Sequence, residues 1–235
     1  EKAGIPHHLF DILNVGKSYS AYNFQKDARR LINEIAIPII VGGTGFYIKS
    51  ALYNYEFRED DNYNYKDYDN LTNKDLYEEL KLNDPNLEID INNRVRLVRA
   101  YHLSKTNHKR SEKVNKDEPL YNILTIYLDV DRKVLKPILI KRLDEMINAG
   151  FIDEVKSIRN KNIELNIIGY RELNQYLANE ISLEVAKDEI IKSSMRLAKR
   201  QKTWFLNQMN SKVFDAYKKD LHLEIIEVVK EFLNE

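Results

Sequence analysis

The chain has 235 residues and contains no cysteine, which excludes disulfides and thiolate metal sites and fits a reducing compartment such as the cytoplasm. No apolar run approaches the roughly 20 residues that a membrane-spanning helix needs, so we predict no contact with a membrane. Lysine plus arginine equals aspartate plus glutamate, at 37 each, so the chain as a whole is not a polycation. Any binding of nucleic acid must therefore depend on local clusters of charge.

Glycine is scarce, with seven residues, yet three of them stand together in the segment Gly42-Gly43-Thr44-Gly45. This segment follows a β-branched run, Ile37–Val41, that is typical of a short buried strand in a parallel sheet. It precedes a helical pattern over Phe46–Tyr53. A strand, a glycine turn and a helix in this order present backbone N–H groups to a ligand. A tight turn with Thr44 as the helix N-cap explains the same local pattern equally well.

A second pattern is the segment VRLVRAYH, Val95–His102, in which Arg96 and Arg99 are three residues apart and share one helix face. The guanidinium group suits phosphates and base edges because its fork donates two parallel hydrogen bonds. A solvated face that pairs with the acidic stretch before it is an equally good interpretation of the charges.

A third pattern lies in the long helix predicted after Ser182, where a basic stripe runs opposite an apolar side that includes Trp204. Such a helix suits a phosphate backbone, a membrane surface or a protein partner, and Gln201 within it could read a base edge. The alternative is an exposed helix with its tryptophan in the core. Arg142, in IKRLDEM, has the pattern of a surface cation. The histidines do not have metal-ligand spacing, so we predict no metal site in this chain.

The order of patterns predicts an α/β protein with a helical insertion. A helix over Ser18–Ile35, the Ile37–Val41 strand and a second strand over Asn122–Val130 indicate a sheet covered by helices. Residues 57–116 turn from acidic to strongly basic, which is typical of an inserted module. We therefore assign residues 1–56 and 117–235, with C-terminal helices, to the core. Pro137 predicts a kink or a late start in the helix after Asp131.

Taken together, several segments resemble the tRNA dimethylallyltransferase (tRNA isopentenyltransferase) family, in that family's order: GIPHHLFDI, YSAYNFQKDA, VGGTGFYI, VRLVRA, IIGYREL and LAKRQKTWF. The resemblance implies a P-loop NTPase-like parallel sheet flanked by helices, with a helical insertion domain. It implies transfer of a dimethylallyl group from dimethylallyl diphosphate to the exocyclic amine of an adenosine beside the tRNA anticodon. Mg²⁺ is the implied cofactor, the anticodon stem-loop the implied partner, and a cytoplasmic monomer the expected state.

The resemblance also implies roles for particular residues. Thr44 would contact the tRNA near a flipped base, and Arg142 would face the diphosphate and stabilise its charge as it leaves. The remaining implied tRNA contacts are Lys66, Val95, Arg96, Leu97, Val98, Arg99, Asn166, Ile167, Ile168, Gly169, Tyr170, Arg171, Lys199, Arg200, Gln201, Lys202, Thr203, Trp204, Phe205 and Leu206.

The chain departs from the family pattern because the family's phosphate loop and the following Asp-Ser segment, whose Asp acts as general base, are absent. Both are expected upstream of Glu1, so we expect this chain to be an inactive fragment. Val95, Ile138 and Leu206 stand where the family usually has a polar or basic residue. Two other hypotheses stay open: a non-catalytic RNA-binding protein that kept the tRNA surface, and a small-molecule P-loop kinase with an arginine-rich lid.

Overall fold

A computed structural model of the chain describes residues 4–57, 65–105, 111 and 117–234. Helices dominate it, and two strands form a small parallel sheet. The helices are α1 (Ala21–Glu34), α2 (Gly45–Leu52), α3 (Asn73–Asn83), α4 (Arg94–Ser104), α5 (Arg132–Asn148), α6 (Phe151–Arg159), α7 (Tyr170–Leu177), α8 (Leu183–Gln208) and α9 (Leu221–Asn234). The strands are β1 (Thr125–Asp129) and β2 (Ser211–Asp215), and a 3-10 helix spans Tyr65–Tyr68. Across these described ranges, no helix combines the length and the apolar character needed to cross a bilayer.

The chain divides into two compact units. The larger unit combines Glu1–Lys49 with Asn122–Glu235, and the smaller unit is Ser50–Tyr121. Residues 57–116, predicted as the insertion, fall inside the smaller unit.

The sheet pairs β1 with β2 in parallel, in a register that runs from Thr125 opposite Ser211 to Asp129 opposite Asp215. Because α5 to α8 lie between the two strands in sequence, they form the crossover that a parallel pair requires. The predicted α/β class is confirmed. The prediction of a strand within Asn122–Val130 is confirmed over its central five residues, whereas β2 was not predicted.

The predicted strand at Ile37–Val41 is wrong. No described segment pairs with it as a neighbouring strand, and Ile39 and Val41 are 83% and 91% exposed. A β-branched run favours extended backbone, but only a hydrogen-bonded neighbour turns that backbone into a strand.

Helix α5 begins at Arg132, so of the two alternatives predicted at Pro137, a kink or a late start, the late start is wrong. An Asp131 carboxylate oxygen accepts a hydrogen bond from the backbone N–H of Lys133 at 2.6 Å and caps the first turn. Pro137 lies inside the helix and removes one hydrogen bond from its second turn. The side-chain cap therefore fixes the start of α5 in spite of the proline.

Each unit has its own apolar core. In the larger unit α5 to α8 pack together around Leu143, Phe151, Val155, Leu173, Ala186, Ile190 and Ile191. In the smaller unit α3 and α4 bury Leu76, Leu80, Leu87, Leu97, Val98, Ala100 and Tyr101. The N-terminal half of α8 is thus fixed by the core of the larger unit.

Candidate nucleic-acid interface

The glycine turn at 42–45 lies directly against the C-terminal half of α8. The side-chain amide Nε2 of Gln201 donates a hydrogen bond to the carbonyl oxygen of Gly43 at 3.2 Å. A Cβ atom added to Gly43 would lie 2.1 Å from Gln201 Nε2, and one added to Gly45 would lie 2.0 Å from Trp204 Cε3. The backbone of the turn thus approaches the helix closely, across about 160 residues of sequence, and Gly45 leaves no room for a side chain against the indole. The sequence signal for this contact was the glycine cluster itself.

Thr44 starts α2 through its backbone. Its carbonyl oxygen accepts hydrogen bonds from the N–H groups of Tyr47 at 2.9 Å and Ile48 at 3.3 Å. The residue is exposed, whereas Gly45 beside it is buried under Trp204. Thr44 thus stands at the open side of a turn whose other side is closed by α8.

The C-terminal half of α8 carries a basic cavity of about 680 Å³. Its lining residues are Arg196, Lys199, Arg200, Thr203, Trp204, Asn207 and Gln208. Arg196, Lys199 and Arg200 are exposed, and none of the three forms an ion pair with another described residue. Cations without a carboxylate partner beside an aromatic ring are suited to phosphates and bases.

Lys202 behaves differently from the three free cations of α8. Its amine pairs with the carboxylate of Asp129 at the end of β1, and this hydrogen bond raises the pKa of the lysine. Phe205, three residues further along the helix, is buried, and its ring centroid lies 5.8 Å from that of Tyr127. Both residues were predicted tRNA contacts. Lys202 attaches α8 to the sheet while its side chain stays 45% exposed, so its tRNA contact stays a prediction. Phe205 is 7% exposed, so its side chain belongs to the interior of the larger unit.

The loop before α7 is a second surface of the larger unit. Gly169 has φ of +97°, and the ring of Phe151 would lie 2.9 Å from an added Cβ, so only glycine fits. Asn166 and Ile167 are exposed, and the side chain of Arg171 is 51% exposed, whereas Ile168 and Tyr170 are half-buried. The predicted segment 166–171 therefore forms a short, sharply turned stretch at the surface before and at the start of α7, which we call the edge at 166–171.

Glu172 holds this edge in place, and sequence reasoning missed it. The side chain is 2% exposed and accepts the backbone N–H of Gly169 at 2.8 Å. The same carboxylate pairs with Arg171, and the hydroxyl of Ser193 on α8 lies 3.5 Å from it. The signal was available, because a Glu three residues after a turn residue is half of a capping box.

In the smaller unit, α4 presents only part of the predicted segment to solvent. Val95 and Arg96 are exposed and Arg99 is half-buried, but Leu97 and Val98 are 0% exposed in the core. Leu97 and Val98 therefore cannot contact RNA through their side chains, because they form the apolar face that holds α4 on α3. The side chain of Lys66 lies outside the described part of the structure.

Arg142 lies on the exposed side of α5, a helix that packs against α8 through an ion pair between Asp144 and Lys187 at 2.7 Å. It is not among the residues that line the cavity on α8. Its predicted role at the diphosphate stays a prediction.

A helix-rich α/β fold, with a glycine turn held against a basic helix, defines a protein with a surface suited to a phosphate-rich ligand. Residues 1–208 match the family described as IPP transferase. The chain belongs to the IPP transferase family.

Similar proteins cover nearly all of this chain. It is 48% identical over 233 residues to the tRNA dimethylallyltransferase of Acholeplasma laidlawii, and this alignment covers 99% of this chain and 81% of the relative. It is 41% identical over 239 residues to that of Phytoplasma australiense, covering 100% of this chain and 81% of the relative. The solved tRNA delta(2)-isopentenylpyrophosphate transferase of Staphylococcus epidermidis superposes with a TM-score of 0.68 at 34% identity, over 98% of this chain and 81% of that one. A eukaryotic dimethylallyltransferase acting on tRNA shares the fold at 22% identity, with a TM-score of 0.83 over 98% and 66% of the two chains.

Proposed function

We propose that this protein transfers the dimethylallyl group of dimethylallyl diphosphate to the exocyclic amine of an adenosine in tRNA. The observation that carries the proposal is the 48% identity to the tRNA dimethylallyltransferase of Acholeplasma laidlawii, over 99% of this chain. The glycine turn beside the free cations of α8 supports it, since a base and its flanking phosphates need such groups side by side.

The reaction forms a bond between the adenosine nitrogen and the allylic carbon and breaks the bond from that carbon to the diphosphate oxygen. The nitrogen loses its proton to a base, and diphosphate leaves with the bonding electrons. The exocyclic amine is a weak nucleophile, so orientation supplies much of the rate. We assign orientation of the base to the turn at Thr44 and to Gln201, whose amide already reaches the Gly43 carbonyl. No described residue is assigned as the base.

The cations of the larger unit have two roles in this proposal. Arg196, Lys199 and Arg200 on α8 would bind tRNA phosphates on either side of the target base, which must leave its stack to be alkylated. Arg142 on α5 would stabilise the charge that develops on the departing diphosphate. Arg96 on α4 and the edge at Asn166 and Arg171 would bind further tRNA phosphates.

The further expectations concern the metal and the setting of the reaction. The family resemblance implies Mg²⁺ on the diphosphate, the anticodon stem-loop as the bound part of the tRNA, and a cytoplasmic monomer. Across the described ranges, however, His, Asp and Glu side chains do not come together in threes as a metal site. No step is therefore assigned to a metal ion.

The test is to incubate the full-length protein with dimethylallyl diphosphate, Mg²⁺ and an unmodified tRNA, and to digest the tRNA to nucleosides. Mass spectrometry should then detect an adenosine that has gained one dimethylallyl group. A tRNA transcript with guanosine in place of the target adenosine is the control and should gain nothing. Tight tRNA binding without any prenylated adenosine would instead identify a non-catalytic RNA-binding protein.

A further inference from the structure

A groove between α5 and α8 in the larger unit has no role in the site described above. Its volume is about 880 Å³. The residues that line it are Arg132, Lys133, Lys136, Pro137, Ile140, Lys141, Asp144, Glu145, Asn148 and Met195. Arg142, the residue of α5 to which the family resemblance gives a role, is not among them.

The groove has an excess of positive charge that is not balanced within the fold. Both of its carboxylates are already paired, Asp144 with Lys187 at 2.7 Å and Glu145 with Lys141 at 3.8 Å. The other three cations, Arg132, Lys133 and Lys136, are exposed and form no ion pair with any residue that the structure describes. In a chain whose net charge is zero, three uncompensated cations along one edge of a groove favour an anionic ligand.

The groove adjoins the basic cavity of α8. Met195 lines the groove and Lys199 lines the cavity. The two are four residues apart on one helix, so they lie on the same face about 6 Å apart along the axis. An extended anion that follows α8 past Lys199 would therefore meet Arg132, Lys133 and Lys136.

We propose that this groove binds the sugar-phosphate backbone of the tRNA whose target base is held at the glycine turn. The proposal rests on the function proposed above for the turn. The groove would be a second binding surface for the same RNA, and it would contact phosphates and not bases. A membrane surface fits less well, because Pro137, Ile140 and Met195 line a groove between two helices and do not form the protruding apolar face that membrane-binding helices present.

The test compares two triple variants that remove the same total charge. In the first, Arg132→Gln, Lys133→Gln and Lys136→Gln neutralise the groove. In the matched control, Lys161→Gln, Lys219→Gln and Lys230→Gln neutralise three lysines that are also exposed and line neither the groove nor the cavity. Thermal unfolding checks that both remain folded, which is expected because all six side chains are exposed.

The groove variant should bind an unmodified tRNA transcript roughly tenfold more weakly at moderate salt, and the slope of log K against log salt should fall by about 2. The control should match the unchanged protein in both quantities. Equal losses in the two triple variants would overturn the proposal, since net charge alone would then explain them. Because tRNA binding is measured directly, a failure of prenyl transfer would disprove the proposed function without deciding this result.

A cross-linking experiment gives a second, independent answer. This chain has no cysteine, so Lys136→Cys introduces a single thiol that can carry a photo-reactive group. Irradiation with tRNA should give a covalent complex, whereas the same label at Lys230→Cys on α9 should give little. Retention of anionic phosphatidylserine vesicles by the unchanged protein but not by the groove variant, with equal tRNA affinity, would identify a membrane site and overturn the proposal.

Discussion

At the scale of single residues, the contact between the glycine turn and α8 leaves almost no space. Gly43 faces the flexible amide of Gln201, whereas Gly45 faces the rigid indole of Trp204 at 2.0 Å from a would-be Cβ. An amide can rotate away from a new methyl group, but a packed indole cannot. Gly45 is therefore the more demanding of the two positions.

Replacing Gly45 with alanine should push Trp204 out of place and cost about 1–3 kcal/mol of the free energy of unfolding. We also expect weaker tRNA binding, because Trp204 lines the cavity of α8. The matched control is Gly42→Ala, where the nearest side-chain atom would be 4.0 Å away. Urea denaturation of both variants decides the matter, and the prediction is wrong if the two lose stability equally.

Replacing Arg142 with alanine tests the role proposed for the leaving group. Arg142 is exposed on α5 and does not line the cavity of α8, so tRNA affinity should stay nearly unchanged. Prenyl transfer at saturating tRNA should slow by roughly 100-fold, the usual effect of removing one group that stabilises developing charge. The exposed Lys156→Ala on α6 is the control. Equal losses of affinity and rate would argue against the diphosphate role.

At the scale of elements, α7 is held to α8 by a buried carboxylate. Glu172 is 2% exposed and accepts from Gly169, with Ser193 of α8 at 3.5 Å. Buried carboxylates of this kind are retained only when hydrogen-bonded, so Glu172 is a structural fixture for the edge at 166–171.

The variant Glu172→Ala should leave the Gly169 N–H buried without an acceptor, at a cost of about 1–3 kcal/mol. Because the segment 166–171 would loosen, tRNA affinity should fall further than it does for Glu180→Ala, an exposed residue between α7 and α8. Glu172→Gln keeps one acceptor oxygen and should recover most of the stability. No recovery with glutamine would mean that the charge on the carboxylate, and not its hydrogen bond, holds the edge.

The elements also show what could be predicted from the sequence. Helices were predicted well where a cap marks the start, as with Ser20 before α1 and Ser182 before α8. The Ile37–Val41 strand failed and β2 was missed for one reason. A strand depends on a partner distant in sequence, and local composition does not reveal that partner.

The site was predictable in part. The glycine cluster predicted a turn that presents its backbone to a ligand, and the structure places Gln201 and Trp204 of α8 against that backbone. Whole contiguous motifs were predicted to contact tRNA, but a helix buries some residues of a contiguous stretch and exposes others. Leu97, Val98 and Phe205 of these motifs are buried for this reason. The groove could not be predicted from the sequence around Arg132, Lys133 and Lys136, because it forms only when α5 packs against α8.

At the scale of the whole molecule, several tyrosines are held in their protonated form by the fold. The hydrogen bond from Tyr170 to the Glu154 carboxylate, together with burial, raises the pKa of Tyr170 to about 12. Burial, and a hydrogen bond to Asp27, also raise the pKa of Tyr19. Tyrosine in the unfolded chain loses its proton near pH 10, so these groups are neutral in both the folded and the unfolded chain only well below that pH.

The free energy of unfolding should therefore fall as the pH rises from about 10 through about 12, because the unfolded chain releases tyrosine protons that the folded chain retains. Tyr170→Phe should reduce this fall, whereas Tyr217→Phe, at a residue that is 61% exposed, should not. Urea denaturation across this pH range measures the effect. Identical pH profiles for Tyr170→Phe and the unchanged protein would contradict it.

Helix α8 is anchored at one end by Ile190 and Ile191 and reaches the glycine turn at the other with Gln201 and Trp204. Each residue of an α-helix advances the chain by about 100° of rotation. Loss or gain of one residue between 192 and 200 would leave the anchored end intact and swing Gln201 and Trp204 about a quarter-turn off the glycines. The number of residues in this stretch therefore sets which side of α8 meets the glycine turn. We expect the contact to tolerate substitutions there but not an insertion or a deletion.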